Sequence, residues 1–228
     1  MQRWHFPTTN TTIIRIWSSW LVHQARLRAP LPSGQSFNVY LHTPDEAYME
    51  FLPTFDVLVI SSGHWFSGRC IYVVNDTTPS GHVEAYGMAV NTSLTAIATH
   101  EGYAGLTIAR SYSPDHYQGG AWNKGGSCKG ITTPATELSK NSYIDSMNEK
   151  LVAGFDHAGK KLRNGSRLRL MNVTVLSGYR RDGHPGPYTG HDRRKGGKET
   201  REDCLHWCMP GVVDTWNEIL FEMIKRDL

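Results

Sequence analysis

Phe55-Asp56-Val57-Leu58-Val59-Ile60-Ser61-Ser62-Gly63-His64 decides the fold class of this 228-residue chain. The short unbroken apolar run lacks the alternation of a half-exposed strand and reads as a buried strand of a parallel sheet. Gly63 and His64 then fall on a loop at the carboxyl edge of that sheet, where sites of α/β proteins form. Upstream, the β-branched stretch from Thr11 to Trp17 predicts a strand, and a Pro-rich loop with Pro30, Pro32 and Pro44 follows. Downstream, Val90–His100 predicts a helix with Ala89, Leu94, Ile97 and Ala98 on its apolar face, and Leu106–Arg110 a second strand. A loop from Ser111 to Cys128 leads to a helix over Asn141–Lys160, built on Ile144, Met147, Leu151 and Phe155. Leu168–Val175 predicts a strand and Tyr179–Glu202 a long polar loop. The last helix runs over Val212–Arg226, with Val212, Trp216, Ile219, Leu220 and Met223 at helical spacing. Strands alternating with helices indicate an α/β fold with a mainly parallel sheet flanked by helices. No repeat or linker divides the chain, so residues 1–228 read as a single portion of one domain.

The composition is that of an ordinary globular protein, 39% apolar and 20% charged, with a small formal net charge of +3. Its densest basic cluster, Arg193-Arg194-Lys195 with Lys198, lies in a Gly-rich segment and accompanies no nucleic-acid-binding signature. No apolar run has the length of a membrane span, and the first residues lack the apolar stretch of a signal peptide. Yet Asn10, Asn75, Asn91, Asn164 and Asn172 each begin an Asn-x-Ser/Thr acceptor. With cysteines crowded near one motif, these predict an oxidising lumenal setting. A lumenal setting without a targeting segment predicts that the natural N-terminus lies upstream of Met1.

That motif is Asp203-Cys204-Leu205-His206-Trp207-Cys208. Across one tight turn Asp203 can accept the Nδ1–H of His206, leaving Nε2 to take a proton from a hydroxyl or a water. The two cysteines can hold the turn rigid. Three further segments carry site-type residues. His64 and Trp65 follow the first strand, and read either as packed residues or as part of a cleft. Asp115 and His116 open a glycine-rich loop in which Trp122 and Asn123 can meet a ligand, Trp122 by stacking on a sugar face. His184 lies in Arg181-Asp182-Gly183-His184-Pro185, where Pro and Gly shape the approach to Asp203. A zinc reading would use Cys128, Cys204, His206 and Cys208. Their spacing is not that of the usual paired Cys ligands, and disulfides compete for the thiols, so no metal is expected. Nothing matches a cofactor fingerprint.

The ordered blocks Gly63-His64-Trp65, Ser113-Pro114-Asp115-His116, Gly125-Gly126-Ser127-Cys128, Asp182-Gly183-His184-Pro185, Asp203–Gly211 and Asp214-Thr215-Trp216-Asn217-Glu218 resemble the plant trichome birefringence-like family. Within it they are most similar to the branch of yellow-leaf-specific proteins, over nearly the whole chain from Trp4. The resemblance implies an SGNH/GDSL-esterase-like fold and an O-acetyltransferase of cell-wall polysaccharides such as xylan, anchored as a type II protein of the Golgi membrane with its catalytic part in the lumen. A Ser nucleophile in a Gly-Asp-Ser block would take the acetyl group, with His206 as base and Asp203 orienting it. His64, Trp65, Asp115, His116, Trp122, Asn123 and His184 are the expected substrate-binding residues. Cys128 would pair with Cys204, and Cys208 with an upstream cysteine; a Cys70–Cys208 bridge is the other pairing open. The sequence contains no Gly-Asp-Ser. The nucleophile and the N-terminal part of the fold are therefore expected upstream of Met1, and the chain alone to be nearly inactive. A polysaccharide acceptor and an acetyl donor are the implied partners. The same dyad would equally serve an acetyl esterase, and a fragment without the nucleophile could act as a glycan-binding remnant.

Overall fold

Parallel pairing of Val57–Ile60 with Leu106–Arg110 is present, Val57 opposite Leu106 and Ile60 opposite Ala109. The computed structural model describes residues 1–32, 34, 36–66, 70–74, 79–163, 165–188 and 202–228. The basic cluster Arg193–Lys198, the acceptors Asn75 and Asn164 and most of the predicted polar loop lie outside the described residues. The chain forms two compact units, one of residues 1–110 with 145–170, the other of 111–144 with 171–228.

The first unit opens with an antiparallel hairpin of β1 (Gln2–Phe6) and β2 (Thr11–Arg15). Asn10 turns it at φ +50°, a left-handed conformation that a short polar side chain tolerates. β3 (Val22–Arg26) and β4 (Phe37–Pro44) pair antiparallel. β4 occupies the segment expected to be a Pro-rich loop. Its alternation is real, Val39 and Leu41 being fully buried, and Pro44 falls at the strand's last position, where a missing N–H costs little. A short α1 (Glu46–Met49) and a 3-10 turn lead to β5 (Val57–Ile60); β6 (Cys70–Val73) then pairs parallel with β4.

α2 (His82–Thr99) begins earlier than the expected Val90, and Gly87 breaks the apolar pattern that would mark its first turns as helical. That glycine is there for close packing: a Cβ at Gly87 would lie 2.8 Å from Cδ of Lys150 on α3 (Ser142–Gly159), and one at Gly154 would lie 2.7 Å from Val90 Cγ1. Ala89, Leu94, Ile97 and Ala98 are buried, as the helical spacing requires. β7 (Leu106–Arg110) lies between β5 and β8 (Arg167–Met171). The central strand β7 is the buried one, whereas β5 stands at the edge of this sheet and leaves Val59 42% exposed.

β8 stops at Met171 rather than Val175. Beyond it, Ser111 Oγ accepts the amides of Val173 and Thr174 at 2.8 and 3.1 Å, and the Thr174 hydroxyl donates to Tyr112 O at 2.6 Å. These bonds turn the chain into α4 (Thr174–Tyr179). Among its described residues the second unit is otherwise loops and the amphipathic α5 (Val212–Asp227), whose Val212, Trp216 and Met223 are buried. The fold is α/β, with parallel strand pairs and flanking helices. No helix among the described residues is long and apolar enough to cross a membrane.

Candidate active site

The Asp203–Cys208 turn sits in the second unit, held from three directions. Gly186 and Asp203 exchange backbone bonds, Gly186 N to Asp203 O at 2.8 Å and Asp203 N to Gly186 O at 3.0 Å. The His116 amide donates to Cys204 O at 3.0 Å, and the Cys208 amide to Gly183 O at 2.9 Å. A disulfide joins Cys204 to Cys128 across 76 residues of sequence. Glu202, which sequence reading passed over, completes the anchor: its Oε2 accepts from Ser127 Oγ at 2.8 Å and from the Cys128 amide at 2.9 Å. Because the disulfide uses the sulfurs of Cys128 and Cys204, the zinc reading loses two of its ligands. The alternative Cys70–Cys208 pairing is not formed.

Within the turn, Asp203 Oδ1 accepts the amides of Leu205 at 3.1 Å and His206 at 2.9 Å, closing an Asx-type turn. Its Oδ2 lies 2.8 Å from His206 Nδ1. An ionised carboxylate only accepts, so Nδ1 carries the proton and Nε2 presents its lone pair outward. Burial pushes the Asp203 carboxyl up, but the bonds from His206 and Leu205 outweigh it and hold it below the usual carboxylate range. The His206 side chain is 77% exposed and that of Asp203 25%. A rooted carboxylate thus carries an accessible imidazole, the arrangement of a general base awaiting its hydroxyl.

His184 and His116, both expected to face substrate, stand behind this turn. His184 is buried, its Nδ1 2.7 Å from His206 O and its Nε2 2.7 Å from His116 Nδ1. His116 Nε2 reaches Gly178 O at 3.1 Å. Both rings therefore use both nitrogens on protein partners. Trp207 packs on His184 with centroids 4.2 Å apart and on Trp216 at 5.6 Å, and Trp216 Nε1 donates to Ser177 Oγ at 3.1 Å. Asp115 is half-buried, and that burial raises its carboxyl. Trp122 and Asn123 are exposed on the glycine-rich loop. His64 and Trp65 belong to the first unit, where Trp65 sets its ring edge-on to Trp17 at 6.1 Å and its carbonyl accepts from Trp20 Nε1 at 2.9 Å. The structure thus gathers Asp203, His206, His116 and His184 in one unit. Glu202 was legible only as a neighbour of the motif and Trp207 only as a member of it, since nothing in their spacing marks what they touch.

Residues 1–223 match the model of the PC-Esterase family, described as a GDSL/SGNH-like acyl-esterase family found in Pmr5 and Cas1p. Protein YLS7 of Arabidopsis thaliana is 46% identical over 100% of this chain and 50% of its own length. Protein trichome birefringence-like 18 of the same plant is 44% identical over 100% of the chain and 47% of its own length. Xyloglucan O-acetyltransferase 1 of Arabidopsis thaliana is 34% identical over 99% of the chain and 55% of its own length. The chain spans about half the length of these curated relatives. With a single family model running through nearly every residue, the chain belongs to the PC-esterase family of GDSL/SGNH-like acyl-esterases.

Proposed function

We propose that this chain supplies the base and its orienting carboxylate for O-acetylation of a plant cell-wall polysaccharide, xylan or a related hemicellulose, in the Golgi lumen. The observation that carries the reading is the 2.8 Å contact between Asp203 Oδ2 and His206 Nδ1, which leaves Nε2 on an accessible face. The serine that carries the acetyl group belongs to a Gly-Asp-Ser block that the sequence does not contain. In the first half-reaction His206 Nε2 takes the serine proton, the serine oxygen bonds to the acetyl carbon, and the proton leaves with the donor's departing group. In the second, Nε2 takes the proton of a sugar hydroxyl, whose oxygen attacks the acetyl carbon. The serine departs and recovers the proton. Asp203 stabilises the imidazolium formed in each half-reaction without itself becoming protonated.

The high exposure of His206 favours one second reading, in which water replaces the sugar hydroxyl and acetate is released. The test uses a longer form of the protein that carries a Gly-Asp-Ser block. Acetyl transfer to xylan oligosaccharides and acetate release are followed while acceptor concentration is varied. Transfer that rises with acceptor at the expense of acetate, and disappears in His206→Ala, is the expected result. Unchanged activity in His206→Ala would remove His206 from the mechanism, and acetate release indifferent to acceptor would make the protein an esterase.

A further inference from the structure

The two buried imidazoles behind the site present a proton-counting problem. Gly178 O, His116 Nε2, His116 Nδ1, His184 Nε2, His184 Nδ1 and His206 O form one unbroken chain with links of 3.1, 2.7 and 2.7 Å. Both ends are carbonyl oxygens, which only accept. Each of the three links therefore needs a proton from a ring, and two neutral imidazoles bring only two. Turning either ring over would put a C–H where a nitrogen now stands in the middle link. Two neutral rings would also have to set one pair of lone pairs against each other. We infer that His116 and His184 share one additional proton, forming a singly charged imidazole–imidazolium pair that positions the His206 turn through its backbone carbonyl.

Burial is the largest influence on both rings and favours their neutral form, so the shared proton is taken up on the acid side of the ordinary imidazole range. The indole of Trp207 lies against His184 at 4.2 Å between centroids and a 35° tilt, within reach of a cation–π contact. Its own Nε1 is buried without a hydrogen-bond partner among the described residues. Asp182 and Asp203 favour charge on the pair, while Arg181 and His206 oppose it. Burial pushes both rings toward the neutral form, His184 down to about 4, while the carbonyls of Gly178 and His206 favour the proton. A charge on either ring also opposes a charge on the other, which disfavours a second proton. The pair then titrates as a unit in one step between the charged and neutral states. On the acid side of that step all three links are made. On the alkaline side one link must break, and the His206 carbonyl is held less firmly.

Both residues are positioning residues, and the inference deepens the proposed role of His206. The experiment is a pH titration of the 228-residue chain with ¹⁵N-labelled histidine, counting protonated ring nitrogens of His116 and His184 by NMR. Three of the four are expected on the acid side of a single step and two above it, with the His206 ring signals shifting at the same pH. Two protonated nitrogens at every pH at which the chain stays folded, a direct passage from two to four, or a His206 signal indifferent to the step would each overturn the inference. His184→Phe keeps a ring on Trp207 but removes the link to His206 O, so the extra inflection of His206 should vanish; its persistence would overturn the positioning role. If that variant fails to fold, the wild-type count still decides. The count needs no acetyl donor. A longer form that transfers no acetyl while the three-proton state is intact therefore refutes the proposed function and leaves the pair standing.

Discussion

Asp203→Asn separates what the carboxylate does for the turn from what it does for the imidazole. The amide oxygen of Asn can still accept the Leu205 and His206 amides that Asp203 Oδ1 accepts now, at 3.1 and 2.9 Å. The turn also keeps its disulfide and its backbone pair with Gly186. Replacing charge-assisted bonds by neutral ones should cost about 1–2 kcal/mol of stability, no more. Catalysis fares differently. The Asn NH₂ facing His206 Nδ1 is a donor, so the ring must turn its lone pair inward and carry its proton on Nε2, where it cannot act as base. The corresponding change in a serine protease triad lowers kcat about 10⁴-fold, and a similar loss of acetyl transfer is expected in the form carrying Gly-Asp-Ser. In the 228-residue chain the assay is the ¹⁵N shift pair of His206, which reports its tautomer. Transfer within tenfold of wild type, or an unaltered tautomer, would refute the reasoning. The pH dependence has a definite sign. The folded value of Asp203 lies below its ordinary 3.8, so its stabilisation is present above the unfolded value and is lost as pH falls through the folded one. Urea melts of wild type and variant should therefore differ at about pH 7 and converge in acid below about pH 4.

Three further expectations concern the scaffold. Cys128→Ser with Cys204→Ser, opening a 76-residue loop, should destabilise the chain by about 4.5 kcal/mol on the chain-entropy account, read as a lower urea midpoint equal to that of the reduced protein; an unmoved midpoint would contradict it. Ser111→Ala leaves the buried Val173 amide without its acceptor and deprives the Thr174 hydroxyl of a neighbour at 2.8 Å, for about 2–3 kcal/mol, seen as a lower Tm, and a neutral result would show that the α4 entrance relaxes freely. Gly154→Ala would bring a Cβ to 2.7 Å from Val90 Cγ1, and should cost about 1–3 kcal/mol by thermal melt unless α2 and α3 separate at no expense.

Much of the architecture was legible because local pattern and burial agree. Leu106–Arg110 reads as a strand and is one, and the helices at Ser142–Gly159 and Val212–Asp227 follow the spacing of Met147, Leu151, Trp216 and Met223. Where reading failed, a non-local partner decided. Pro30, Pro32 and Pro44 hid β4, whose Val39 and Leu41 gain their burial only once the strand is in its sheet. Gly87 hid the start of α2 because its purpose, room for Lys150, lies on another helix. Val173 and Val175 extended the expected strand past its end, since the bonds that divert them come from Ser111.

The candidate site divides along the same line. Three residues of spacing suffice for Asp203 to reach His206, because the contact closes within a single turn of backbone and depends on nothing distant. The sequence by itself therefore determined the fold class, the family and this hydrogen bond. Only the tertiary structure decided that His116 and His184, 68 residues apart, would meet behind that turn, with Glu202 tying down the bridge between Cys128 and Cys204. Such contacts join segments whose separation along the chain carries no period, and only packing of the loops brings them within bonding distance.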